Sequence, residues 1–273
     1  MVANYHPSRL PGLHCSTLID DGPPRVLVHD RLVLLTLTAG EALVRCRGET
    51  HALTPGSLLM IEPGDVHRDI QKTPYRAVTV ELHTDLVKVL RGPTNGPWLA
   101  SSVARCATLC AEAIALVEAV RAQHELAVQE RRTARLFQLL ARFCTRNTPR
   151  PEPPLVARAR RALKESPLAT LSLDQLAGRL RCSPSYLCRV FSEHTGMGPH
   201  AYQLQLRLLE ARRLVESGRT VAIAALLTGF GDESHLRRHF RRRFALTPGR
   251  YQKELAPRHR HHAKRDSRTS VQT

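Results

Sequence analysis

The spacing of apolar positions changes along the chain, and each change predicts a different kind of element. From residue 25 to 82, short Val- and Leu-rich runs alternate with the turn signals Ala39-Gly40, Arg47-Gly48, Pro55-Gly56 and Pro63-Gly64. Several short strands at intervals of about 8–12 residues predict a barrel or sandwich. Residues 1–24 read as an arm that covers the barrel or lies free, and 85–100 as loop, with Gly92-Pro93 and Gly96-Pro97. From 101 to 146 the period becomes helical. Val103, Ala107, Cys110, Ile114, Val117 and Val120 recur at three and four residues, as do Leu136, Leu139, Leu140 and Phe143, predicting two helices. "NTPRPEPP", 147–154, reads as a Pro-rich linker. Residues 155–255 carry helical spacing throughout, and the basic tail 256–273 is too poor in apolar residues to pack.

The helical region repeats. Leu187 matches Leu236, Arg189 matches Arg238, Phe191 matches Phe240, Pro199 matches Pro248 and Tyr202 matches Tyr251, all at an offset of 49 residues. Ala177 and Ala225 match at 48, so the second turn is one residue longer. Each unit parses as helix, tight turn, helix. Ser172 and Gln175 make a capping box, Ser183 caps the next helix with Pro184 at its first position, and Thr220 and Asp232 are the corresponding caps of the second unit. This is helix-turn-helix spacing, in which the second helix of each pair enters a major groove. A helix over about 200–217 joins the units. At 1.5 Å per residue it spans about 27 Å, enough to set two reading helices about one duplex turn apart.

Charge sharpens this reading. The chain of 273 residues has a net charge of +17, and residues 151–273 hold 23 Lys+Arg against 10 Asp+Glu, compared with 18 against 14 before them. Positive charge on one half points to a polyanion. On the last reading helix, Leu236, Phe240 and Phe244 form the apolar stripe, leaving Arg237, Arg238, Arg241 and Arg242 on the opposite arc. Arginine binds guanine bidentately, or phosphate, from such a face.

The duplicated pattern, with "GF" before the second turn and "TPGRYQ" after it, resembles the AraC/XylS family of bacterial transcription regulators over about 100 residues. The resemblance implies a multidomain chain: an N-terminal all-β cupin-like sensor barrel over 1–100, a helical dimerisation segment over 101–146, and an all-α double helix-turn-helix DNA-binding domain over 155–255. By motif position the DNA contacts fall on Ser183, Ser185, Cys188 and Arg189 in the first unit. In the second they fall on Glu233, Ser234, Arg237, Arg238 and Arg241. Two positions depart from the family pattern. Ala224 stands where a bulky aliphatic residue is usual, with Ile223 beside it to compensate, and Ala245 stands where glycine is usual. The barrel is similar to the family's sensor domain through His29, Gly40, "PGSLLMIEPGDVH" and His67. His29, His67 and Tyr75 are its polar candidates for contacting an effector, the alternative for each histidine being a hydrogen-bonded place on the barrel rim. Leu136, Leu140 and Phe143 are the candidates for an apolar dimer seam, the alternative being that they pack only against their own barrel. The partners implied are double-stranded promoter DNA, RNA polymerase, a small-molecule effector and a second copy of the chain, in the cytoplasm and without an enzymatic activity or a cofactor.

Other chemistry reads weakly. A metal site from His29, His67 and Glu62 is imaginable, but Leu27 occupies the place where an H-x-H pair would begin. Seven cysteines without C-x-x-C spacing suit reduced thiols, no apolar run reaches the ~18–20 residues of a membrane span, and no signal peptide is evident at the N-terminus. Two other classes answer to the same residues: a cupin enzyme fused to a DNA-binding domain, marked by stoichiometric metal, and a non-specific architectural binder, marked by affinity without sequence preference.

Overall fold

A computed structural model describes residues 1–91, 99, 102–143, 152–165 and 171–255. Two sheets form the N-terminal half. The first has the order β1 (Val2–Pro7), β2 (Leu13–Asp20), β9 (Tyr75–Leu82), β4 (Leu32–Ala39), β7 (Ser57–Ile61) and β10 (Val103–Arg105). The second has the order β3 (Val26–Val28), β8 (Val66–Lys72), β5 (Ala42–Cys46) and β6 (Glu49–Leu53). The strand pairings are antiparallel. Alternation sends Val33, Leu37, Val44, Cys46, Leu59 and Ile61 into one core between the sheets. The outer face of the larger sheet buries Leu32, Leu34, Leu58, Met60 and Val80 against α2 (Ala107–Arg121) and α3 (Leu126–Leu140).

Three expectations change here. Residues 1–24 are not an arm: β1 and β2 extend the larger sheet, with Leu13 through Asp20 in register with β9. Part of 85–100 is helical, because Thr84–Arg91 forms α1. Val103 belongs to strand β10 rather than to a helical stripe, and the buried face of α2 is Leu109, Cys110, Ala113, Leu116, Val117 and Val120. The Pro-rich linker falls largely, and the basic tail wholly, outside the described residues.

The C-terminal half is all-helical: α4 (Pro154–Glu165), α5 (Leu173–Leu180), α6 (Pro184–Thr195), α7 (Pro199–Glu216), α8 (Val221–Leu227), α9 (Glu233–Phe244) and α10 (Pro248–Leu255). The repeat is structural. Leu187 and Leu236, Phe191 and Phe240, and Tyr202 and Tyr251 are all at most 1% exposed, and they occupy equivalent places in one core. Pro199 and Pro248 each open the helix that follows a reading helix. Ala177 and Ala225 are buried where α5 meets α6 and α8 meets α9, so their small side chains allow close approach.

The two halves share a continuous apolar contact. Val28 belongs to the helical core, and Tyr5, Val26 and Val66 pack against it. The outward face of β3 and β8 therefore seats the DNA-binding half directly. Charge follows around this contact. Arg212 of α7 bonds Asp30 at 2.5 Å and Glu81 at 3.1 Å, and Arg31 pairs with Glu216 of α7. Tyr251 donates its hydroxyl to Glu216 at 2.9 Å. Burial alone would raise the Glu81 carboxyl, but Arg212 and Arg31 outweigh it and hold it down at about 2.

Candidate nucleic-acid interface

Capping fixes where each reading helix starts. The Ser183 hydroxyl accepts from the Tyr186 N–H at 3.3 Å, with Pro184 at the first turn of α6. The Asp232 carboxylate accepts from the His235 N–H at 2.7 Å at the start of α9. The preceding helices are capped in the same way by Ser172, in a full capping box with Gln175, and by Thr220. Four side-chain caps within two short units leave the helix ends little freedom, so the side chains of the first two turns project from fixed positions.

The outward face of α6 carries Ser185, Tyr186 and Arg189, all exposed, with Cys188 half-buried beside them. Arg189 lies over the Tyr186 ring at 5.4 Å and pairs with Glu193 at 3.5 Å. The outward face of α9 is different. Glu233 bonds Arg237 at 2.8 Å, Ser234 is exposed, and Arg237, Arg238, Arg241 and Arg242 line an open groove of about 540 Å³ with Thr247. Among the described residues no carboxylate pairs with Arg238, Arg241 or Arg242. Three guanidinium groups with no carboxylate partner on one helix face repel one another, and the arrangement gains when a polyanion neutralises them. All nine predicted contact residues lie at the starts or on the outward faces of α6 and α9. Ser183 differs from the rest in that its oxygen also serves as the cap of α6.

Tyr186 and Thr247 lie on these faces without a signal in the sequence reading, and Arg242 joins them from the arginine arc on which its spacing places it. Arg243, which the sequence reading leaves unassigned, lies on the other side of the helix. Arg243 is 9% exposed and turns inward with Leu236, Phe240 and Phe244. It donates to the Val28 carbonyl at 2.9 Å and lies over the Phe244 ring. Burial first, then the Arg212 charge, lowers its pKa to about 10. The signal was its spacing of seven from Leu236 and three from Phe240, which places it on the core arc. Ile223 does not compensate for Ala224: Ala224 is fully buried, whereas Ile223 is 39% exposed. Ala245 does adopt the left-handed conformation, at φ 64°, as the C-cap of α9.

The barrel candidates converge on its interior. Pairing puts His67 opposite Leu27 and Cys46 on the inward face of the smaller sheet, while Val26, Val66 and Arg68 take the outward face. His29 Nε2 and His67 Nδ1 are 2.9 Å apart and share one proton in a hydrogen bond. A polar chain continues through Asp69 to Lys72, and from Lys72 to Asp20 at 2.9 Å, which accepts from the Tyr75 hydroxyl at 3.4 Å. Burial holds His67 down at about 4 against the pull of Asp69, and burial with the Arg243 charge puts His29 well below its ordinary value. Both imidazoles are therefore neutral at neutral pH. Glu62 does not join them. It pairs with Arg47 at 3.2 Å and accepts from the Leu99 N–H at 2.6 Å.

The seam candidates divide. Leu136 and Leu140 are fully buried in the chain's own core beside Leu116, Val117 and Val120, so neither offers a surface to a second copy. The spacing that marked them as apolar is the inward stripe of α3. Phe143 is only partly buried and packs at the rim of the same core.

A barrel packed on a duplicated helix-turn-helix array, with capped reading helices and a guanidinium-lined groove, defines a two-domain DNA-binding regulator. The AraC-like ligand binding domain matches residues 20–140, and a Helix-turn-helix domain matches 176–254. The chain belongs to the AraC family of transcription regulators, with a ligand-binding domain and a helix-turn-helix DNA-binding domain. It is 27% identical over 218 residues to the HTH-type transcriptional regulator YbfI of Bacillus subtilis, covering 76% of this chain and 79% of that one. It is 39% identical over 85 residues to the regulator Rv1931c of Mycobacterium tuberculosis, covering 31% and 33%. In fold it is similar to an apo form of ToxT from Vibrio cholerae carrying a single substitution, with TM-score 0.54, 12% identity, and 91% and 99% of the two chains covered. Wild-type ToxT has also been solved bound to an unsaturated fatty acid, and that structure matches at TM-score 0.51 and 12% identity, covering 93% and 95%. Among the described residues no helix is long and apolar enough to cross a membrane.

Proposed function

We propose that one chain reads two successive major grooves of a promoter through α6 and α9, with different chemistry at each. The observation that carries this reading is the groove on α9, whose Arg238, Arg241 and Arg242 have no carboxylate partner among the described residues, set beside an equivalently capped α6 with one arginine. In α9, Arg237 and Arg238 read base edges near the helix start, and Arg241 and Arg242 hold phosphates. In α6, Ser185, Cys188 and Arg189 face the bases. Ser183, whose oxygen caps the helix, keeps its hydroxyl hydrogen for a phosphate. The effector is a small molecule that contacts His29, His67 and Tyr75 inside the barrel. A homodimer forms through the helical segment, on the outward face of α3, where Leu126, Glu130, Arg131, Ala134 and Arg135 are exposed. The chain acts in the cytoplasm, recruits or blocks RNA polymerase, and performs no catalysis.

The test is selection of binding sites from random duplex DNA with full-length protein at low and physiological salt. Enrichment of two short motifs about one turn apart is expected. Binding that vanishes with salt and enriches no sequence would sink the reading in favour of an architectural binder.

A further inference from the structure

The two reading units are joined to each other by α7, and each packs on that helix. An 18-residue helix spans about 27 Å, and helices of such length curve and twist. A single helix therefore sets the distance between α6 and α9 but leaves their phase soft. The barrel supplies a second connection. On the first unit, Arg160 of α4 donates to the Gly64 carbonyl, and the C-cap of α6 at Gly196 lies against Val26 and Arg68. On the second unit, Arg243 donates to the Val28 carbonyl at 2.9 Å, and the Tyr5 hydroxyl donates to the Phe244 carbonyl at 3.3 Å, both at the C-terminal end of α9.

The barrel-side anchors belong to one stiff rim. The Gly64 N–H donates to the His29 carbonyl at 2.5 Å, and the His29 N–H donates to the Asp65 carbonyl at 3.3 Å, tying the Gly64 turn to the end of β3. Gly64 has φ +90°, and a side chain there would run into Lys164 of α4. The turn thus fits closely under α4 in a conformation that favours glycine. Barrel, first unit, α7 and second unit form a closed loop of contacts. Both reading helices are gripped at their C-terminal ends, while their N-terminal, outward faces stay clear.

We propose that the barrel is a brace that sets the phase between the two reading helices, with Arg160, Arg243 and Tyr5 as its positioning residues. This rests on the two-groove reading above. Inserting one base pair between half-sites moves them apart by about 3.4 Å and rotates them by about 35°. A braced protein resists that change, and an unbraced one follows it by twisting α7.

The test measures affinity of the full chain for selected sites whose half-sites are spaced one base pair closer, as selected, and one base pair further apart. Proteins compared are wild type, Tyr5→Phe, Arg160→Met, Arg160→Lys, Arg243→Met and the double variant Tyr5→Phe with Arg160→Met. Wild type is expected to lose about tenfold or more for either shift, a cost similar to one mismatched base pair. The double variant is expected to narrow that loss to about threefold, with base preference inside each half-site unchanged and Arg160→Lys close to wild type. Tyr5 lies on the barrel and leaves α9 intact, so it answers if Arg243→Met fails to fold. Folded variants that keep the full wild-type spacing penalty would overturn the brace while leaving the double reader standing. A wild type with no spacing penalty would also overturn the brace, whereas selected sites that contain only one half-site would overturn the double reader, and the brace with it.

Discussion

The two helix-turn-helix units are built alike and decorated differently. Their buried residues are interchangeable in kind: Leu187 with Leu236, Phe191 with Phe240, Tyr202 with Tyr251. Their outward faces are not. The first presents Ser185, Tyr186 and Cys188 with one arginine already shared with Glu193, and the second presents four arginines around an open groove. Packing demands a fixed set of shapes at fixed spacing, so the core repeats. The reading face is constrained by the DNA opposite it, so it is free to diverge. On the proposed two-groove reading, the first unit reads by contact and the second adds most of the salt-dependent affinity.

The largest effect tests the shared scaffold. Phe191→Ala and Phe240→Ala each remove a fully buried ring and are expected to cost about 3–5 kcal/mol, measured by urea unfolding. A difference of several kcal/mol between them would break the equivalence of the two cores.

Acid should separate the barrel from both units. His67 and His14 lie at about 4 in the folded chain, below the ordinary histidine value, because burial disfavours their charged forms. The unfolded chain therefore binds more protons between about pH 6.5 and about 4. The stabilisation is fully present above about 6.5 and is lost as pH falls towards 4. His67→Gln should flatten this dependence in unfolding titrations from about pH 7 to about 4.5. An unchanged slope would mean that His67 titrates normally. Glu81 adds a lower window: stability present above about 4.5 is lost as pH falls towards about 2.

A smaller effect tests the divergent faces. Arg238→Ala is expected to relax base preference in the second half-site by about 1–3 kcal/mol, read as relative affinities for single-base variants. Arg241→Ala is expected to weaken all sequences alike and to reduce the salt slope by about 1. Uniform weakening by Arg238→Ala as well would assign it to phosphate.

The smallest effects lie at the helix ends. Ser183→Ala and Asp232→Ala are each expected to cost about 1 kcal/mol in thermal unfolding. Ala245→Gly is expected to add about 0.5–1 kcal/mol, since φ 64° suits glycine better than alanine.

Local signals carried the reading where structure is local. Caps, the 49-residue offset and the Leu236–Phe240–Phe244 stripe follow from spacing alone. Signals failed where partners are distant in sequence. "VANYHP" and "LHCSTLID" lack a clean period and become strands because β9 pairs with β2, and β2 with β1. Leu136 and Leu140 look the same whether they face α2 or a second copy, and only the fold decides. Arg243 has core-arc spacing, but the acceptor that lets a guanidinium be buried there, the Val28 carbonyl, lies 215 residues away.

The measurement that bears most directly on the account is a hydroxyl-radical footprint of the full-length chain on its selected site, compared with Arg238→Ala. One chain reading two grooves predicts two protected windows about one helical turn apart on one face of the duplex, with the variant losing sharpness in one window alone. A single window, or protection that shifts uniformly along the duplex in the variant, would contradict it.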